Sequence, residues 1–284
     1  MSELGAEEGT AVSPVRRWFV TLALAVKRLT RPLPPGDNWR RFFPWLDEPR
    51  KFAIAAGLVI AVLLIGMLLI DAPASNAVSR LPRAVVWFFQ AITDFGKSGW
   101  FLWPLAILFL VLAALPRSLT PISQAVLAAL MVRVGFLFFA IGAPGLFATT
   151  IKRMIGRARP FVTGIADPFV FDLTRWTAAY AGMPSGHATT VFSVLAAFGC
   201  LWPRARTMLL IYALLIAASR IVVRAHYPTD VAAGALVGIV GVLLVRRWFA
   251  LQRLSFSIMP DGHIRYFPGP SGKRIKSVAR ELLA

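Results

Sequence analysis

Two of the three histidines in this 284-residue chain sit in polar clusters pressed against long apolar runs. His187 closes "PSGH" (184–187), and His226 lies within "SRIVVRAHYPTD" (219–230). A third cluster, "KRMIGRARP" (152–160), supplies more cations. Lys152, Arg159 and Arg220 together carry enough positive charge for a dianionic phosphate, and an arginine fork can bond its oxygens in pairs. Gly186 leaves backbone N–H groups open at a helix N-terminus, where Ser185 adds a hydroxyl donor. Two imidazoles suit a two-step phosphoryl transfer, in which one attacks and the other protonates the departing oxygen. Asp230, four residues past His226, is the only acidic residue between Asp172 and Asp261. A lone carboxylate at that spacing suits fixing the tautomer and orientation of an attacking imidazole.

Each residue also has a plainer reading. Asp230 follows Pro228 and Thr229 as at an ordinary helix N-terminus, Ser185 reads as a cap, and Arg220 and Arg224 read as interfacial anchors. Coincidence of all three clusters is harder to sustain, because a charge within a membrane helix costs on the order of a few kcal/mol. A metal is disfavoured: two histidines and one aspartate lack a further carboxylate or thiol nearby, and the surrounding cations would repel zinc. No cofactor is implied, and His263 reads as a surface residue of the tail.

The elements that must carry these clusters are membrane helices. The chain is 57% hydrophobic and only 15% charged, against about a quarter charged for soluble domains. Its net charge of +18 raises the question of nucleic acid. The basic residues flank apolar segments instead of forming a solvated face, which excludes that partner and points to anchoring charges. Cys200 lies in an apolar run and reads as a small buried hydrophobe. Hydropathy predicts an all-α, polytopic membrane protein with six transmembrane helices: 52–70, 100–115, and about 122–151, 186–202, 207–223 and 230–248. Residues 71–83 read as a polar connection and 84–100 as an amphipathic or re-entrant segment.

Residues 1–50 form a basic cytoplasmic N-terminal segment, with an interfacial helix or an unstructured tail at 16–29. Residues 51–250 form the membrane domain, and 251–284 a basic cytoplasmic tail with at most a short hairpin at 254–267. The positive-inside bias puts both ends in the cytoplasm and all three clusters on the opposite face. Arg133 is expected to snorkel at the cytoplasmic surface. Gly234 and Gly238 are expected to allow close helix packing in preference to a groove for lipid tails.

The pattern K-x6-RP, PSGH, SR-x5-H-x3-D resembles the three-part signature of the type 2 phosphatidic acid phosphatase (lipid phosphate phosphatase) superfamily. It stands here as Lys152…Arg159-Pro160, Pro184-Ser185-Gly186-His187 and Ser219-Arg220…His226…Asp230. The resemblance implies a six-helix membrane fold with a site near the extracytoplasmic surface. It also implies His226 as nucleophile through a phosphohistidine, Asp230 as its partner and His187 as general acid. Lys152, Arg159, Ser185, Gly186 and Arg220 would bind phosphate, without a metal. Soluble acid phosphatases and vanadate-dependent haloperoxidases share the signature, but six spans argue against both.

The expected protein is a phosphatase of the bacterial inner membrane, acting in the bilayer on a lipid phosphate substrate with its site facing the periplasm. Phosphotransfer to another lipid is the alternative, followed by a non-catalytic transport or structural role that intact His187, His226 and Asp230 oppose. An isoprenyl diphosphate, phosphatidylglycerol phosphate or phosphatidate is placed narrowly ahead of lipid A. The loop 161–183 is expected to select among them.

Overall fold

The computed structural model describes Phe42, Phe43, Trp45 and residues 48–115 and 119–283. Helix α1 (Pro49–Gly66) runs through a π-helical turn, Met67–Asp71, into α2 (Ala72–Val78). The polar connection expected at 71–83 is therefore helical over most of its length. Asp71 ends no helix because its carboxylate finds buried partners inside the bundle, and Pro73 sits near the start of α2, where a missing N–H is tolerated. Helix α3 (Arg83–Thr93), a 3₁₀ turn (Asp94–Gly96) and α4 (Gly99–Ala114) follow, matching the amphipathic segment and span read from the sequence.

Helix α5 (Pro121–Ile155) is one element of 35 residues despite Arg133 and an internal Pro144, about 52 Å long at 1.5 Å per residue. Thr120 caps its first turn by accepting from the Ser123 N–H, and Gly156 ends it in the left-handed region at φ 63°. Helices α6 (Gly186–Leu201), α7 (Arg206–Val222) and α8 (Pro228–Leu251) complete the bundle. Among the described residues, five stretches are long and apolar enough to cross a membrane: Pro49–Val78, Arg83–Ala114, Pro121–Ile155, Pro203–Val222 and Pro228–Leu251. Helix α6 is apolar but has only 16 residues.

The core lies between α5, α6 and α8, around Phe136, Ile141, Val194, Val242 and Phe249. The outer helices keep large apolar side chains on the outside, such as Leu58, Leu69, Trp87 and Trp103, each more than half exposed. Such a surface suits hydrocarbon and not water.

Gly234 and Gly238 serve the packing expected of them. A Cβ on Gly234 would fall 2.5 Å from the Ser185 carbonyl oxygen, and one on Gly238 would fall 2.6 Å from that of Thr189. Helices α6 and α8 thus touch backbone to backbone, directly under the PSGH turn.

At the far end of the bundle, strands β1 (Phe256–Ile258) and β2 (Ile264–Tyr266) pair antiparallel, Ser257 opposite Arg265. Phe256 stacks edge-on against Phe136 at 4.8 Å. Arg133 does not serve the site: half-buried, it donates to the carbonyls of Ala129 and Phe267, each at 2.7 Å, and lies over the Tyr266 ring. It clamps the tail to α5. Helix α9 (Gly272–Leu283), which hydropathy did not signal, packs Val278 and Leu282 on Leu119, Val126 and Leu127. Its Glu281 accepts hydrogen bonds from Thr120 and Ser123 at the start of α5. The interfacial helix expected at 16–29 lies outside the described residues.

Gly238→Leu should force α8 away from α6 and cost about 1–3 kcal/mol, read as a lowered thermal midpoint of the detergent-solubilised protein.

Candidate active site

The three clusters meet at one end of the bundle. Lys152 rides the last turn of α5, and the αL turn at Gly156 then sends the chain across the bundle mouth. A Cβ there would collide with the Asp172 carbonyl, so glycine is required by both conformation and contact. Residues 156–159 are stitched to the overlying loop by backbone bonds: Ala158 N–H to Val170 O at 2.9 Å, Arg159 N–H to Ala179 O at 2.8 Å, and Asp172 N–H to Gly156 O at 2.8 Å. Asp172 itself is held below the usual carboxylate range, chiefly by the Thr174 hydroxyl.

Ser185 and Gly186 open α6. The Ser185 N–H donates to the Asp230 carbonyl at 2.9 Å, while the buried Ser185 hydroxyl has no partner. The Nζ of Lys152 lies 3.1 Å from where a Gly186 Cβ would stand, so the missing side chain admits the ammonium group to the helix N-terminus. Arg220, near the end of α7, is braced by Thr93, its Nη1 donating to the hydroxyl at 2.6 Å. Its own Nε, like the Nε of Arg159, is buried and unpartnered. Three buried donors without acceptors, two of them charged, form a set that an oxyanion would satisfy.

His226 is presented by the turn after α7. The Arg220 carbonyl accepts from both Ala225 N–H and His226 N–H at 3.1 Å, and Arg224 takes a left-handed φ of 55°. The Nδ1 of His226 lies 2.8 Å from the carbonyl oxygen of Gly182, but 3.6 Å from Asp230 Oδ2. A carbonyl can only accept, so Nδ1 carries the proton and Nε2 is the free lone pair. The Gly182 carbonyl, in the overlying loop, is therefore the nearer acceptor for the ring, and Asp230, the partner the spacing suggested, stands beside it at ion-pair distance. Asp230 sits behind it as a charge. One of its oxygens also accepts from the Tyr227 N–H at 2.9 Å, capping the start of α8 as the plainer reading held. The imidazole pKa is pushed below its ordinary value, foremost by burial. Asp230 opposes that shift, while Arg159 and Arg220 add to it.

His187 lies in the first turn of α6 with its Cδ2 against Gly96, where a Cβ would stand 2.9 Å away. It borders a cleft of about 410 Å³ that also touches Lys97, Ser98, Leu102, Gly142 and Gly145. All eight residues singled out by their sequence pattern thus belong to one mouth.

Sequence reasoning missed five others. Arg157 has no exposed surface and forms ion pairs with Asp230 at 2.5 Å and Asp71 at 2.7 Å. Thr229 donates to Asp71 from both its N–H and its hydroxyl, and Thr93 joins Arg220 to Ser219. Gly182 was visible only as a loop glycine. Asp71 had one available signal, a lone acid at the end of a 19-residue uncharged run.

A family model described as the PAP2 superfamily matches residues 133–254. The chain is 34% identical over 226 residues to the lipid A 1-phosphatase of Rhizobium johnstonii, covering 79% of this chain and 91% of that protein. It is 35% identical over 217 residues to the lipid A 1-phosphatase of Rhizobium etli, covering 75% and 92%. The crystal structure of Aquifex aeolicus LpxE aligns with a TM-score of 0.45 at 21% identity, covering 62% of this chain and 93% of that one. Identity of about a third sustained over three quarters of the chain, with a family match whose bounds contain all three clusters, places this protein in the PAP2 superfamily.

Proposed function

We propose that this membrane phosphatase removes phosphate from a lipid by way of a phosphohistidine, with the 1-phosphate of lipid A as the first substrate. The observation that carries the reading is the set of unpartnered buried donors, Ser185 Oγ, Arg159 Nε and Arg220 Nε. They lie in the same mouth as Lys152 and two histidines. The names of the Rhizobium relatives put lipid A ahead of the isoprenyl and glycerophospholipid phosphates that the sequence favoured. The membrane would hold six spans, α6 being a short sixth inside the bundle, with the mouth in the periplasm and the tail in the cytoplasm of the inner membrane.

In the first step, Nε2 of His226 forms an N–P bond as the bond from phosphorus to the lipid oxygen breaks. His187 gives its proton to that oxygen. Lys152, Arg159, Arg220, Ser185 and the N–H groups at Gly186 hold the phosphoryl oxygens throughout. In the second step, water attacks phosphorus, His187 takes a water proton, the N–P bond breaks, and inorganic phosphate leaves. Gly182 keeps the Nδ1 proton in place, and Asp230 balances the positive charge that grows on the ring as it bonds phosphorus.

A phosphate-release panel of lipid A 1-phosphate, undecaprenyl diphosphate, phosphatidylglycerol phosphate and phosphatidate in detergent should give fastest release from lipid A. Label moving to an added lipid acceptor, with no free phosphate, would instead indicate a transferase. His226→Ala should abolish turnover of every substrate. His187→Ala should slow lipid phosphates by roughly 10²–10⁴-fold yet slow an aryl phosphate, whose phenolate departs unaided, far less. Equal losses on both would contradict the acid role.

Burial keeps His226 neutral below its ordinary pKa, and the neutral ring is the nucleophile. The acidic limb of kcat/KM, corrected for substrate ionisation, should therefore fall below about pH 6.5. It should fall lower still in Asp230→Asn, which removes the influence that raises the pKa.

A further inference from the structure

Three charged side chains with no exposed surface, Asp71, Arg157 and Asp230, form a line behind His226. Every nitrogen of Arg157 is engaged there: Nη2 to Asp71 at 2.7 Å, Nη1 to Asp230 at 2.5 Å and to the Thr229 hydroxyl at 2.8 Å, and Nε to the Pro168 carbonyl at 3.0 Å. Its flat face covers the Tyr227 ring at 4.6 Å. With no exposed surface and each nitrogen already committed to a protein acceptor, this arginine is not placed as a fourth phosphate ligand, although it stands two residues from Arg159.

Asp71 reaches the cluster from the first membrane helix, and it does so at the π-helical turn Met67–Asp71. Such a widened turn is often tied to a functional position, because it rotates one side chain off the regular helical face. Most of α1 is exposed to the bilayer side. Its buried contacts concentrate at Gly66, Met67, Asp71 and Ser75, and a Cβ on Gly66 would stand 2.8 Å from the Thr229 methyl. The first helix therefore grips the bundle at the residues that flank Asp230.

We infer that Asp71 and Arg157 are positioning residues for His226, acting through Asp230: Arg157 fixes one Asp230 oxygen, and Asp71 supplies the second negative charge that keeps the buried cluster net anionic behind the attacking imidazole. The inference rests on the reading of His226 as nucleophile. With both carboxylates ionised and one guanidinium between them, the cluster carries one net negative charge. The groups facing His226 directly are Asp230, Arg159, Arg220 and, across the mouth, His187. Two of these are cations, so the anionic cluster is the counterweight to a ring that turns positive on bonding phosphorus. Removing the Asp71 charge would leave Arg157 and Asp230 as a neutral pair. The carboxylate would then be drawn toward the guanidinium and away from the ring.

The test is Asp71→Asn in the full-length protein, assayed in detergent on p-nitrophenyl phosphate and on phosphatidate, with kcat expressed per folded molecule. A partner one shell removed from the reacting group is typically worth roughly 10- to 100-fold. The expected result is a kcat loss of that size, by the same factor on both substrates because the effect falls on the nucleophile. KM should change by less than about threefold, and the acidic limb should move to lower pH. A purely structural ion pair would lower the thermal midpoint and the yield while leaving kcat per folded molecule and the limb unmoved. That outcome, alongside an inactive His226→Ala, overturns this inference and leaves the proposed mechanism standing. A His226→Ala protein that still turns over removes both.

Should Asp71→Asn not fold, Asp71→Glu keeps the charge with a longer reach. It should leave the acidic limb in place and keep kcat per folded molecule within about threefold, and a limb that moves although the charge is kept overturns the inference.

Discussion

Arg157, wholly enclosed by protein, faces carboxylates from two membrane helices, a carbonyl from the loop above and an aromatic ring beneath. Enclosing three charges is costly, and the geometry has to return that cost through short bonds from every nitrogen of the guanidinium. Removing one member of such a set leaves an unpaired buried charge, a loss of about 3–5 kcal/mol. The rest of the mouth is arranged around this requirement. Asp71 brings α1 to the bundle, and Asp230 caps α8. The Asp230 carbonyl, in turn, accepts the Ser185 N–H. One aspartate thus connects the ion cluster to the start of α6 through its backbone and to the vicinity of His226 through its side chain.

The cations divide into two kinds. Arg157 has carboxylate partners and lies deep. Among the described residues, Lys152, Arg159 and Arg220 have no ion pair with a carboxylate, and the bonds that two of them would make are open. Arg220 is held by a neutral hydroxyl from Thr93, which fixes the guanidinium without cancelling its charge. A phosphate site needs that arrangement, because a salt bridge would compete with the ligand for the same donors.

Legibility in the sequence followed the range of the interaction. Lys152, Arg159, Ser185, Gly186, His187, Arg220, His226 and Asp230 stand out by residue type within three short windows, and all eight come to one mouth. Arg157 lies in the first window, yet nothing local distinguishes it from Arg159. Only the fold brings Asp71 to it across 86 residues. The Gly182 carbonyl that anchors His226 comes from 44 residues away and involves no side chain, so no pattern could reveal it. Hydropathy located the apolar stretches well. It ended the first helix too early, because a buried aspartate with partners costs less than hydropathy supposes. It also passed over α9, whose polar composition hides one apolar stripe that finds α5.

Helix α6, with 16 residues, is about 24 Å long, while a hydrocarbon core is about 30 Å thick. Its neighbours α5 and α8 are longer by at least two turns. The difference does not fall at the site, where α6 starts level with its neighbours: the Ser185 N–H meets the Asp230 carbonyl, and Lys152 on the last turn of α5 lies beside Gly186. The extra length of α5 and α8 therefore falls at the opposite end, where Phe136, Phe249 and Phe256 pack in one core with Leu201, the last residue of α6. The β-hairpin thus works as a stopper, filling the thickness that a short central helix leaves open.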